Sequence, residues 1–221
     1  MKIDFSKPML QVALDVVDLE EALRIAEEVY SVGVDIIEIG TPLIKNVGLK
    51  SVKVFKKKFP DALILTDMKT VDASALEVRM AANAGANITT IMGFIDDTSI
   101  LMAVKEARKS NILLQADLMY VKDLIKRAKE LVNLGIDIIG LHVGIDVQKA
   151  KHTSIADIKD LVKLIAGSIE KPISVAGGLN KYTIRYMVEA GANIIVVGSA
   201  IVKAKDPGKE AREILNIIRS K

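Results

Sequence analysis

The sequence predicts a (β/α)₈ barrel, with eight parallel strands, each followed by a helix, in a single domain over residues 1–221. Three observations predict it. First, a unit recurs: GVDIIEIG, GANITTIMG, GIDIIGLH and GANIIVVGS begin at Gly33, Gly85, Gly135 and Gly191, at spacings of 52, 50 and 56 residues. Second, four more apolar runs alternate with these, LQVALD (10–15), ALILTDMK (62–69), NILLQADL (111–118) and KPISVAGG (171–178). Third, helical patterns separate the runs. Eight units in this length leave about 28 residues each, which suits a compact barrel. A doubly wound open sheet requires no regular count of eight, and no GxGxxG follows the first run.

Along the chain, LQVALD is short and apolar, as suits a parallel strand covered on both faces. DLEEALRIAEEVY (18–30) then spaces its apolar residues by three and four, with Asp18 as the helix N-cap. Each repeated glycine falls where a helix ends and a left-handed residue is needed, and a β-branched strand run follows it. DLIKRAKELVNL (123–134) is the clearest later helix, capped by Asp123. The closing helix lies in DPGKEAREILNIIRS, with Pro207 near its start. No linker or low-complexity segment marks a second domain.

Composition excludes several classes. With no cysteine there are no disulfides, thiolate metal sites or cysteine nucleophiles. The net charge of +3 is interspersed, and no basic, aromatic-interleaved patch suggests nucleic acid. The N-terminus lacks the apolar core of a signal peptide, and no apolar run approaches membrane-spanning length. A soluble cytoplasmic protein, with no membrane or nucleic-acid partner, is expected.

Barrel chemistry gathers where strands end and βα loops begin. There the sequence places Asp15, Glu38, Asp67, Lys69, Asp117 and His142, with Asp72 in the loop after the third strand. Five charged residues at strand ends and a histidine point to a site rather than to scattered ion pairs. Asp67 and Lys69 are two apart, so regular strand alternation puts them on one side. Flanking carboxylates keep such a lysine protonated. Glu38 and Asp67, on adjacent strands, can share Mg²⁺, a hard cation that takes one or two carboxylates and then substrate oxygens. That arrangement would polarise a ketone and stabilise an enediolate. Asp15 and Asp117 either order Lys69 and nearby loops or serve the site directly, Asp15 in catalysis and Asp117 in substrate binding. His152, in the polar segment KAKHTS, reads as a loop residue. Gly177, Gly178 and Gly198 let backbone N–H groups approach a phosphate, and Ser199 can donate to it.

With D-x-K-x-x-D at 67–72, the chain resembles the orotidine 5′-monophosphate decarboxylase suprafamily, and within it the 3-hexulose-6-phosphate synthase branch. The resemblance is carried in order by LQVALDVVDLEEAL, DIIEIGTPLI, TDMKTVDA, DDTSI, ADLMYVKDLIKRAKEL, LHVGIDVQ, SVAGGLN and VVGSAI. It implies a reversible aldol reaction of formaldehyde with ribulose 5-phosphate, giving arabino-3-hexulose 6-phosphate with Mg²⁺ or Mn²⁺. By the same resemblance Glu38 and Asp67 are metal ligands, Lys69 stabilises the enediolate, and His142 moves the proton of the sugar carbon. Asp15 positions substrate or Lys69. Asp72 crosses to the partner's site in a homodimer with shared active sites, and a 6-phospho-3-hexuloisomerase is a possible functional neighbour.

The alternative reactions are keto-gulonate-phosphate decarboxylation through the same enediolate, then orotidylate decarboxylation. The former branch carries an arginine after the sixth-strand histidine, and HVGIDVQ (142–148) has none. The latter offers an arginine near the last-strand phosphate site, where this chain has Ser199. The chain departs from the branch pattern at Ser74 and Val143, which bears on substrate preference. A non-catalytic sugar-phosphate-binding subunit is the third class, but binding alone does not need an acid/base pair.

Overall fold

In a computed structural model describing residues 3–220, the eight strands close into one parallel barrel in chain order, each beside the next and β8 beside β1. They are β1 (Met9–Leu14), β2 (Ile36–Ile39), β3 (Leu63–Thr70), β4 (Ile88–Met92), β5 (Leu113–Asp117), β6 (Ile138–His142), β7 (Ile173–Ala176) and β8 (Ile194–Val197). Around them run α1 (Leu19–Ser31), α2 (Thr41–Val47), α3 (Lys50–Lys58), α4 (Ser74–Ala84), α5 (Asp97–Ser110) and α6 (Leu124–Leu134). The ring is completed by α7 (Ile145–Lys151), α8 (Lys159–Ala166), α9 (Ile184–Glu189), α10 (Ser199–Val202) and α11 (Pro207–Arg219). Among the described residues no helix is long and apolar enough to cross a membrane.

The expected single helix per strand holds for five of the eight units. After β2, Gly48 adopts φ 73° and ends α2, so a second helix starts at Lys50. The β6–β7 connection carries α7, a 3₁₀ turn at Ile155–Ile158 and α8, and β8 is followed by the short α10 before α11. The expected caps form, with Asp18 and Asp123 accepting from the backbone N–H of Glu21 and Lys126, and Asp206 likewise caps α11 ahead of Pro207, accepting from Lys209. Such a cap contributes about 1 kcal/mol.

The four-fold repeat has a structural cause beyond its glycines, which all have positive φ. Two residues after each stands an Asp or Asn that grips the start of the preceding strand at two points. Asp35 donates its N–H to the Leu10 carbonyl (3.2 Å) and accepts the Leu10 N–H on its carboxylate (2.8 Å). Asn87 does the same to Ile64, Asp137 to Leu114 and Asn193 to Ile173, all within 2.8–3.1 Å. These clamps satisfy backbone groups where the odd-numbered strands enter the barrel.

Inside the barrel, side chains change character from bottom to top. Ile36, Ile88, Ile138 and Ile194, one from each even-numbered strand, share an interior cluster and are fully buried. Each such side chain contributes about 1.5–3 kcal/mol by leaving water. Residues two further on face the same way. The next layer up, from the odd-numbered strands, is therefore Gln11, Leu65, Gln115 and Ser174, and the one above it is Glu38, Thr90, Gly140 and Val196. Asp67 and Asp117 follow. The apolar plug thus ends about halfway up, and the charges lie where the barrel opens.

Candidate active site

A cavity of about 600 Å³ opens at the C-terminal ends of the strands, a size common for small-molecule sites. Its wall includes Asp15, Glu38, Asp67, Lys69, Asp117 and His142, together with Gly177, Gly178, Gly198 and Ser199. Ten of the eleven residues singled out from sequence therefore meet in one place. Asp72 does not: it is exposed in the turn before α4 and outside this chain's cavity. His152 ends α7 as an exposed loop residue.

Asp67 and Lys69 do meet, but not by regular alternation. Between Thr66 and Thr70 the register of β3 against β4 shifts, and Lys69 takes φ 47°. Such a bulge re-aims a side chain at the cost of ladder bonds. Here Thr90 on β4 fills the gap, accepting the Lys69 N–H (3.0 Å) and donating to Asp67 Oδ1 (2.8 Å). The Lys69 ammonium then lies 2.7 Å from Asp67 Oδ2 and 3.4 Å from Asp117 Oδ2. Burial alone would lower the Lys69 pKa, but the carboxylates of Asp67 and Asp117 outweigh it and hold the pKa above lysine's ordinary value.

Asp117 is 4% exposed and fully engaged. Its Oδ1 accepts the Met119 N–H (2.8 Å), and its Oδ2 faces His142 Nδ1 at 2.8 Å. Burial pushes its pKa up, but the hydrogen bond and charge of His142, together with Lys69, bring it below the usual aspartate value. An ionised carboxylate only accepts, so His142 Nδ1 carries the hydrogen and Nε2 is left to take a proton. Asp117 thus links Lys69 to His142, and its carboxylate is committed to these two and the β5 loop.

Glu38, at 7% exposure, carries the greatest strain of charge. Burial first, then Asp67 and Asp15, push its pKa well above the usual glutamate range. Gln11 Nε2 donates to its Oε2 at 2.6 Å. Asp15 is exposed at the mouth and lines the cavity; desolvation of its carboxyl and the nearby Asp67 raise its pKa as well.

These residues suit a hard divalent cation in an open site. Among the described residues no three His, Cys, Asp or Glu side chains form a closed metal cage. Mg²⁺ and Mn²⁺ commonly take one or two carboxylates and leave other positions to water and substrate. Glu38 Oε1 has no protein donor among the described residues. Asp67 is more committed, since Thr90 holds Oδ1, and Thr41 (2.8 Å) and Lys69 hold Oδ2. A cation would offset the repulsion that raises the Glu38 pKa.

After β7, Gly177 has φ 116°, and a Cβ there would sit 2.4 Å from the Val143 carbonyl oxygen, so only glycine fits. Lys45 and Lys203 also line the cavity. Sequence reasoning missed these lysines together with Gln11, Thr41, Thr90 and Gln115. A polar residue inside an otherwise apolar strand run was the available signal for Gln11, Thr90 and Gln115.

The family model for the orotidine 5′-phosphate decarboxylase / HUMPS family matches residues 8–214. The chain belongs to that family. It is 41% identical over 211 residues to a 3-hexulose-6-phosphate synthase of Methylomonas aminofaciens, covering 96% of this chain and 99% of the relative. A crystal structure of a 3-hexulose-6-phosphate synthase superposes with a TM-score of 0.89 at 39% identity, covering 95% of this chain and 99% of that one. A 3-keto-L-gulonate-6-phosphate decarboxylase of Vibrio cholerae is also similar, with a TM-score of 0.85 at 29% identity over 96% and 98% of the chains.

The electrostatics of Glu38 set a testable expectation. An acid whose pKa is raised by folding contributes stability that is present below its unfolded pKa and lost as pH rises through the folded value. Glu38→Gln, which cannot ionise, should therefore melt above the wild type in metal-free buffer at about pH 8, with the gap closing towards about pH 4. Each kcal/mol relieved is worth roughly 2–4 °C in a protein of this size. Equal or lower melting temperatures across that range would contradict the assignment.

Proposed function

We propose that the protein is a metal-dependent aldehyde-lyase of the 3-hexulose-6-phosphate synthase type, condensing formaldehyde with D-ribulose 5-phosphate reversibly to D-arabino-3-hexulose 6-phosphate. The observation that carries this reading is the His142–Asp117–Lys69–Asp67 chain of contacts beside Glu38, in a cavity that Gly177, Gly178 and Gly198 also line. The full-length similarity to synthases supports it.

Mg²⁺ or Mn²⁺, held by Glu38 and Asp67, would supply a positive charge for the ketone oxygen of the substrate. His142 Nε2 takes a proton from C1 of the ketose. The Lys69 ammonium faces the negative charge that develops on oxygen. C1 then forms the new bond to the formaldehyde carbon, and the resulting alkoxide takes up a proton, so none is lost overall. Asp117 holds the imidazole in the required tautomer throughout. Gly177, Gly178, Gly198 and Ser199 receive the phosphate, and Lys45 and Lys203 add positive charge to the cavity wall.

A decarboxylation of 3-keto-L-gulonate 6-phosphate would use the same enediolate, and one of the similar structures is such a decarboxylase. The segment 143–148 offers no arginine beside His142, which favours the aldol reading. The protein acts in the cytoplasm as a homodimer on this reading, in functional partnership with a 6-phospho-3-hexuloisomerase. Support for the dimer comes from Val71, Leu76, Met80, Leu101 and Met102, which leave apolar surface exposed on α4, α5 and the turn that carries Asp72.

Incubation with ribulose 5-phosphate, formaldehyde and Mg²⁺ should consume formaldehyde, and chelation should stop it. No consumption, or faster CO₂ release from 3-keto-L-gulonate 6-phosphate, would overturn the aldol assignment. For the dimer, Asp72→Asn and Lys69→Ala should each be inactive alone and regain about a quarter of wild-type activity on mixing, from the hybrid dimers that hold one intact site. No recovery, with subunit exchange verified, would remove Asp72 from the partner's site.

A further inference from the structure

Gln11 is 1% exposed on β1, and nothing in the proposed chemistry uses it. In the register of β1 against β2, Ala13 stands opposite Glu38 and Gln11 lies one layer below. The small Ala13 side chain leaves room for the Gln11 amide to reach up to the carboxylate, where its nitrogen lies 2.6 Å from Oε2. With Glu38 ionised, as holding a cation requires, it only accepts, so the amide nitrogen faces it and the amide oxygen turns away. That oxygen is buried without a protein partner. An orphaned buried acceptor destabilises a fold, so packing alone does not explain a glutamine here. Leu65, in the same layer on β3, shows that an aliphatic side chain can occupy this layer.

We propose that Gln11 is the positioning residue that sets Glu38 for cation binding, holding one carboxylate oxygen and leaving the other to the cavity. The inference rests on the metal reading given above. Without the amide, the carboxylate is free to rotate, to share both oxygens with its neighbours or to turn from the cavity. Partners that orient a metal ligand in this way commonly govern affinity by 10–100-fold. Gln115 supplies the contrast. It occupies the same layer on β5, and its Oε1 is likewise buried without a partner. Among the described residues, however, it bonds to neither Glu38 nor Asp67.

The test is Mn²⁺ affinity, read by electron paramagnetic resonance of free Mn²⁺ on the full chain without substrate. Gln11→Met keeps the length and removes the amide, and should weaken Mn²⁺ binding roughly 10–100-fold. Gln115→Met should bind as the wild type does, and circular dichroism should show both variants folded. If Gln11→Met does not fold, Gln11→Asn carries the same test, since it withdraws the amide by one methylene and should weaken binding too. Wild-type affinity in the Gln11 variant, or equal weakening in both methionine variants, would overturn the proposal while leaving the metal reading intact. Absence of Mn²⁺ binding by the wild type would overturn both.

Discussion

The Lys69 ammonium sits among carboxylates that could not otherwise share one cavity. It contacts Asp67 and Asp117 directly, and its charge is felt at Asp15 and Glu38. Without it, Asp67 and Asp117 would repel each other in a setting that water screens poorly. Asp117 in turn holds His142, so the imidazole's tautomer depends on a charge placed three strands away. The bulge in β3 is what delivers Lys69 to this position, and Thr90 makes the bulge tolerable by replacing ladder bonds. A local departure from regular sheet geometry therefore sets the electrostatics of the whole barrel mouth.

The barrel divides its labour along its axis. Isoleucines from the even-numbered strands fill the bottom, while Asp and Asn clamps fasten the entry of the odd-numbered ones. That rigid lower half supports an upper half whose charges oppose stability. Glu38 is the clearest case, since its folded environment favours the proton over the anion. Charge held against its preference is a usual feature of sites that bind cations or move protons.

Much of this was legible in the sequence. The spacing of GVD, GAN, GID and GAN exposes the barrel because one solution to strand entry is used four times. Asp18, Asp123 and Pro207 announce helix starts through local chemistry alone. The converging residues at strand ends were equally readable, since a parallel strand that finishes in Asp or His opens onto the barrel mouth. What could not be read depended on tertiary fit. The bulge at Lys69 follows from how β3 meets β4, and the bond from Gln11 to Glu38 follows from the inter-strand register. Gln11 looks like any polar residue in LQVALD until Ala13 is seen to leave space above it. Asp72 lies outside the cavity of its own chain, so its role is a question about two chains rather than one.

In the proposed mechanism His142, oriented by Asp117, which also contacts Lys69, takes a proton from C1 of ribulose 5-phosphate before any aldehyde is present. Proton NMR in D₂O with metal, and without formaldehyde, tests it directly. The wild type should exchange one of the two C1 hydrogens for deuterium, and His142→Asn should lose that exchange. Persistent exchange in His142→Asn, or none in the wild type, would contradict the claim.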